Sequence, residues 1–375
     1  MKKIYADHAA TTKLSANAFE AMKHYFMDDY LNPSTLYSDA NISRKAVANA
    51  RASIAECIGA QSDEIIFTSG GTEADNCVIK NMAFNKTNNR RTIITSQIEH
   101  HAILNSCKVM EKLGYKVIYL PVENDGTISF KTLEAEISDD TALVSVMYVN
   151  NEIGTIQNIK KIAEISHRAG ALFHTDAVQA MGHIDVNVKE LGIDMLSASA
   201  HKFNGPKGIG FLYIKKGIEM NAYISGGSQE FNRRAGTENV AGIVGMAVAL
   251  KENVNNIQAN TKYLLKLEEM FIQQLSSYEI DFIRNGSANR CPGNISLSFP
   301  NISGEMILHR LDLKGVQIAT GSACDSQNTQ LSHVIKAIGI PETYSKGTIR
   351  ISLGIDNTID DVMYIAKELA NIVCK

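Results

Sequence analysis

Ser197-Ala198-Ser199-Ala200-His201-Lys202-Phe203-Asn204-Gly205-Pro206-Lys207-Gly208 sets one lysine among small residues, between a strand-like run (Asp194 to Ala198) and a glycine–proline turn. Surface lysines usually keep polar company. A lysine here either packs its stem while the ammonium escapes to solvent, or is buried, which lowers its pKa and frees the amine for Schiff-base chemistry. The surrounding chain bears on the choice. From about Glu64 to Tyr213, short β-branched runs alternate with amphipathic helical segments. The runs are Ile65–Phe67, Thr92–Thr95, Lys116–Leu120, Ala142–Val146, Ala171–His174, Met195–Ala198 and Gly210–Ile214, with helical stretches such as Ile98–Leu113 and Ile159–Ala169 between several of them. That alternation predicts an α/β fold with a mainly parallel seven-stranded sheet covered by helices.

After a long helical pattern from about Val240 to Ser277 the tail changes character. Short strands (Asp281–Ile283, Ile295–Ser298, Thr348–Ser352) and helices (Glu305–Leu311, Leu331–Ile338, Ile359–Val373) predict a smaller α+β domain. The chain has 375 residues, enough for two domains, and 45% hydrophobic with 21% charged residues is ordinary for a globular protein. A net charge of −3 argues against nucleic acid or a membrane surface as the main partner. Charge arrives too early in Met1-Lys2-Lys3-Ile4 for a signal-peptide core, and the apolar run Val240–Leu250 is too short to span a bilayer, so a cytoplasmic location is expected. Six cysteines, with no CxxC pair among them, suggest neither a zinc site nor a disulfide framework, and no metal is expected.

Several polar motifs fall at the ends of the predicted strands. Thr68-Ser69-Gly70-Gly71-Thr72-Glu73-Ala74-Asp75-Asn76 follows one strand and opens a helix, a setting that favours a phosphate, although any strand–helix turn can carry two glycines. Asp176, in Phe173-His174-Thr175-Asp176-Ala177-Val178-Gln179, either caps a helix or faces the crevice where parallel sheets bind ligands. Asn150-Asn151-Glu152 either makes a turn or forms a polar clamp, and of the adjacent His100 and His101 one is expected to face the crevice. Phosphate cradle, carboxylate, aromatic lid and lysine on one sheet are what pyridoxal phosphate needs. Finally, Thr320-Gly321-Ser322-Ala323-Cys324-Asp325-Ser326 has no hydrophobic periodicity, which predicts an exposed loop with Cys324 placed like a nucleophile.

Taken together the sequence resembles the cysteine desulfurases of the class-V aminotransferase family, pyridoxal-phosphate enzymes of fold type I. The resemblance runs from Tyr5-Ala6-Asp7-His8-Ala9-Ala10-Thr11-Thr12 to Ile349-Arg350-Ile351-Ser352-Leu353-Gly354, through Thr68–Glu73, Asn150–Gly154, Asp176–Gln179, Ser199–Lys202, Arg234–Asn239 and Gly321–Cys324. It implies that Lys202 holds the cofactor covalently, Asp176 pairs with the ring nitrogen, Gln179 bonds the ring hydroxyl and His100 stacks on the ring. Gly71, Thr72, Ser199 and His201 would grip the phosphate, and Thr237 would reach the phosphate of a neighbouring subunit, which implies a homodimer. Asn151 and Arg350 would hold the carboxylate of L-cysteine. Lys202 and His100 would move protons, and Cys324 would take the sulfur as a persulfide, leaving L-alanine.

The implied domains are residues 15–250, carrying the cofactor, and residues 1–14 with 251–375, carrying the cysteine loop. The sulfur acceptor is a further protein whose identity leaves no motif; iron–sulfur cluster assembly and tRNA or cofactor thiolation all use such donors. A selenocysteine lyase or a class-V aminotransferase are the alternatives, and a non-catalytic partner subunit ranks last because Lys202, Asp176 and Cys324 are all present. The sequence departs from the family pattern at His8, Tyr37, Ala40 and Phe231, and Cys374, one residue from the end, is read as an exposed terminal cysteine without function in preference to a second sulfur relay.

Overall fold

A computed structural model describes residues 3–83, 89–320 and 331–374. In chain order the first strands are β1 (Ile4–Tyr5), β2 (Ile65–Thr68), β3 (Thr92–Ser96), β4 (Lys116–Leu120), β5 (Thr141–Ser145), β6 (Leu172–Asp176), β7 (Met195–Ser199) and β8 (Gly210–Ile214). Strands β2 to β8 form a seven-stranded sheet of order β2-β8-β7-β6-β5-β3-β4. Pairing is parallel from β7 through β6, β5 and β3 to β4. Only β8 runs against both its neighbours. Except at β4 and the first residue of β6 the strands are buried throughout, because helices cover both faces. This is why they read as near-continuous apolar runs rather than alternating ones. The turn Gly205–Gly208 reverses the chain after Lys202 and sends β8 back antiparallel. Gly210 must approach its neighbours closely: a Cβ there would lie 2.3 Å from the Ala198 carbonyl oxygen.

A second, antiparallel sheet has the order β12 (Ala319–Thr320), β13 (Thr348–Ser352), β10 (Asn294–Ser298), β9 (Ile283–Arg284). The N-terminal strand β1 pairs in parallel with β11 (Val316–Gln317), and Asp7 bridges to Ser352. The beginning of the chain is therefore stitched to its end. A 37-residue helix, Val240–Ser276, runs between the two cores. Its first half buries Ile243, Met246 and Leu250 against the large sheet, and its second half buries Leu264, Leu267, Phe271 and Leu275 against the small one. At 1.5 Å per residue it is roughly 55 Å long, enough to belong to both. Among the described residues no helix is long and apolar enough to cross a membrane.

One buried ion pair pins the segment before that helix. Arg51 donates two hydrogen bonds to the Glu230 carboxylate at 2.7 and 2.8 Å, and Glu230 also accepts the Phe67 N–H at 2.8 Å. The guanidinium lies between the rings of Phe67 and Phe231, 4.3 and 5.0 Å from their centroids. Glu230, Phe231 and Asn232 all adopt left-handed backbone, with φ of 47°, 57° and 63°. Three consecutive non-glycine residues in that region are costly unless their surroundings over-determine them, and the Arg51 clamp does so. We predict that Arg51→Met, which leaves the Glu230 carboxylate buried and unpaired, lowers the free energy of unfolding by about 3–5 kcal/mol in urea denaturation. A loss within error of zero would show that the clamp does not hold this turn.

Candidate active site

Strands β2, β3, β5, β6 and β7 release the chain at one edge of the sheet, and a cavity of about 320 Å³ opens there. It brings together Gly71, Thr72, His100, Asn151, Asp176, Gln179, Ser199, His201, Lys202 and Arg350. Two of the expected residues are not in it. Thr237 lies in a separate cavity with Ser69 and Arg234, and Cys324 falls outside the described residues.

At one end the helix Gly71–Asn81 points its N-terminus into the cavity beside Ser199 and His201. Gly70 has φ of 150°, and a Cβ on Gly71 would lie 2.5 Å from a Val178 methyl, so the backbone approaches this wall as only glycine allows. The first turn is braced from outside by Glu73, which accepts the Ser69 N–H at 2.8 Å and pairs with Arg234 at 3.0 Å. Burial, with Lys202 and Lys207 nearby, pushes His201 down to about 4. Its imidazole is neutral, so an anion here would meet N–H dipoles and the helix end rather than a histidine cation.

In the middle of the cavity Lys202 donates from Nζ to the carbonyls of Ala9 and Ala10 at 2.6 and 2.8 Å. Gln179 donates to the same Ala9 carbonyl at 2.9 Å. The N-terminal arm thus supplies the lysine's resting partners. Asp176, buried at the end of β6, accepts the Val178 N–H at 2.9 Å. Burial raises its pKa, while its neighbours His100 and Lys202 and the Val178 N–H oppose the rise. His100 caps the helix His101–Lys112, its Nδ1 accepting the Ala102 N–H at 3.1 Å. Burial lowers its pKa, so the ring is neutral and its proton sits on Nε2.

At the far end Arg350, from the centre of β13, donates to the Asp7 carboxylate at 2.6 Å and the Asn151 carbonyl at 3.0 Å. Its Nε is buried without a hydrogen-bond partner among the described residues. The two asparagines divide their tasks. Asn150 makes the turn, accepting the N–H groups of Glu152 and Ile153 and donating to the Ile98 carbonyl, and Asn151 is left to face the cavity.

Sequence reasoning missed part of this wall. The expectation that only one of His100 and His101 would face the crevice is corrected: both line it, because the helix starts between them and turns the two rings to the same side, 6.4 Å apart. His333, whose ring lies 4.9 Å from that of His101 and bonds the Glu99 carbonyl at 2.9 Å, comes from the distant tail and had no signal. Asp75 stood in the quoted Thr68–Asn76 motif and Glu99 directly precedes His100, but their burial is a tertiary property. Glu99 accepts the Ser96 hydroxyl at 2.7 Å and the Met147 N–H at 2.9 Å, and burial pushes its pKa up to about 8. Of the departures from the family pattern, His8 packs against Tyr5 and Gly354, Phe231 covers Arg51, and Tyr37 is exposed; none lines the cavity.

The family profile for class-V aminotransferases matches residues 4–365. The chain belongs to that family. Among its relatives, a protein of Dictyoglomus turgidum named cysteine desulfurase IscS is 46% identical over 375 residues, covering 100% of this chain and 95% of the relative. A solved structure titled NifS-like protein superposes with a TM-score of 0.94 at 35% identity, covering 100% of both chains. Another, titled SspA in complex with cysteine, gives 0.84 at 35% identity over 94% of this chain and 99% of its own.

Glu99 generates a pH prediction. Its folded pKa is raised above the unfolded value of about 4.3, so its contribution is full below that value and is lost as pH rises through about 8. The unfolding free energy of the wild type should therefore fall relative to Glu99→Gln between about pH 5 and pH 8, by up to ~1.4 kcal/mol per pH unit. Parallel pH profiles for the two proteins would show that Glu99 is already ionised.

Proposed function

We propose that this chain is a pyridoxal-phosphate-dependent cysteine desulfurase that converts L-cysteine to L-alanine and passes the sulfur to Cys324 as a persulfide, for delivery to an acceptor protein. The observation that carries the reading is one cavity joining a lysine, a buried aspartate, a helix N-terminus and a buried guanidinium, in a chain 46% identical to a relative named cysteine desulfurase.

The residues fit the cofactor. The glycine wall at Gly70–Gly71, with Thr72, Ser199 and His201, suits its phosphate; Asp176 suits its ring nitrogen, Gln179 its hydroxyl and Lys202 its aldehyde. When bound, the cofactor supplies an electron sink that lets the substrate α-carbon lose its proton. Arg350, which lines the cavity, receives the substrate carboxylate, with Asn151 beside it. Lys202, released from the Ala9 and Ala10 carbonyls, takes the α-proton and later returns a proton to carbon. His100, neutral and fixed by the Ala102 N–H, assists proton transfer near the substrate thiol. The Cys324 thiolate forms an S–S bond to the substrate sulfur as the substrate C–S bond breaks; carbon keeps the electron pair and is protonated to alanine.

The other cysteines are poorly suited to this step. Burial pushes Cys57 up to about 11 and Cys77, Cys107 and Cys291 up to about 12, which leaves little thiolate. Cys374 is exposed at the end of the last helix and does not line the cavity that holds Lys202. Thr237, outside the cavity of its own chain, suits a homodimer in which it serves the partner subunit's phosphate. The exposed apolar side chains Phe19, Phe26, Met27, Tyr30 and Leu36 support a contact between copies. Residues 15–250 form the cofactor domain in this reading and residues 1–14 with 251–375 the smaller one. A cytoplasmic location would keep the free thiols reduced.

The deciding experiment is anaerobic incubation of the purified protein with L-cysteine, counting alanine and mapping added sulfur by mass. We expect one added sulfur on Cys324 per first-turnover alanine; cofactor bound without alanine would refute the reaction. Cys324→Ser should keep bound cofactor and form no persulfide, and full sulfur output from it would move the nucleophile elsewhere. Arg350→Ala should raise KM for cysteine by about tenfold or more, the loss of a charge-assisted hydrogen bond. An unchanged KM would remove Arg350 from the substrate site.

A further inference from the structure

The mechanism uses the carboxyl at the end of β6, and a second buried carboxyl stands beside it. Asp75, from the helix Gly71–Asn81, is 1% exposed and lines the same cavity. Its Oδ1 has no hydrogen-bond partner among the described residues and lies 3.8 Å from Nε2 of His174. His174 offers it no charge. Burial pushes that imidazole down to about 3, and its two nitrogens are engaged by serine hydroxyls, Ser145 at 2.9 Å and Ser197 at 3.0 Å. The serines come from the flanking strands, Ser145 opposite His174 and Ser197 opposite Asp176. Asp75 and Asp176 thus line one cavity beside a His174–serine layer that brings no charge to them.

Two like charges in such a layer cannot both persist, so one carboxyl keeps its proton. The surroundings decide which. Asp176 accepts a backbone N–H and has Lys202 beside it. Asp75 instead feels Glu99 and Asp176, and although Ser197 offers it a hydrogen bond, one oxygen stays bare. Burial and the Asp176 charge raise the Asp75 pKa well above its ordinary value.

We propose that Asp75 is the protonated member of an acid–carboxylate pair with Asp176, a positioning residue that leaves Asp176 as the anion facing the ring nitrogen of the bound cofactor. This rests on the proposed function for the identity of the group facing Asp176. Mutating one member alters the titration of the pair, not of a single residue. A polar residue that merely fills space at this position would not require a fixed protonation state.

The test is infrared spectroscopy of the purified holoprotein carrying carbon-13 in its aspartate side-chain carboxyls, which separates aspartic from glutamic acid. We expect a protonated-aspartate C=O band at about pH 7 in the wild type that Asp75→Asn abolishes. Should that variant not fold, Asp75→Glu keeps a carboxyl in place but takes it out of the aspartate label, so the aspartate band has to disappear. A wild type without the band, or a band that survives Asp75→Asn or Asp75→Glu, would overturn the proposal. Alanine formation plays no part in this readout, so failure of the pair and failure of the desulfurase reading are told apart.

Discussion

Parallel strands all end in the same direction, and the site follows from that constraint. The interior of the large sheet is covered on both faces, so its backbone groups are satisfied and its side chains are mostly apolar. Chemistry can enter only where strands release the chain. There β2, β3, β5, β6 and β7 each contribute a different group: helix dipole, imidazole, amide turn, carboxylate and amine. The one antiparallel strand, β8, returns behind Lys202 and closes the wall without adding a cavity-lining residue of its own.

Charge balance then shapes what the edge can hold. Asp75, Glu99 and Asp176 are all buried around one cavity, and a buried carboxylate costs several kcal/mol unless answered. Lys202 lies near Asp176, while the buried Arg350 is matched by Asp7. Burial raises the pKa of the other two, Asp75 and Glu99. The result is a site with fixed dipoles and few free charges, where an incoming phosphate and carboxylate find N–H donors already oriented.

The N-terminal arm connects these features across the two sheets. Its backbone bonds β13 through Asp7 and Ser352, and its carbonyls at Ala9 and Ala10 hold Lys202. Asp7 also pairs with Arg350. A short extended segment with little core of its own thus sets the resting partners of both the lysine and the arginine.

Strand boundaries were legible in sequence: Gly210–Ile214 is a continuous run buried throughout, and the partly exposed Lys116–Leu120 and the alternating Thr348–Ser352 also stand where the residues put them. Helix Ile359–Val373 was equally clear from its 3.6-residue period. Ten of the site residues were legible too, since their motifs follow strands and a parallel sheet gathers strand ends. What depended on long-range packing was not. No local pattern announces that His333 meets His101, that Asp7 answers Arg350, or that His100 and His101 turn to one side. Nor does a sequence reveal which of Asp75, Glu99 and Asp176 carries charge, because a carboxyl's ionisation is set by burial and neighbours that only the folded chain assembles.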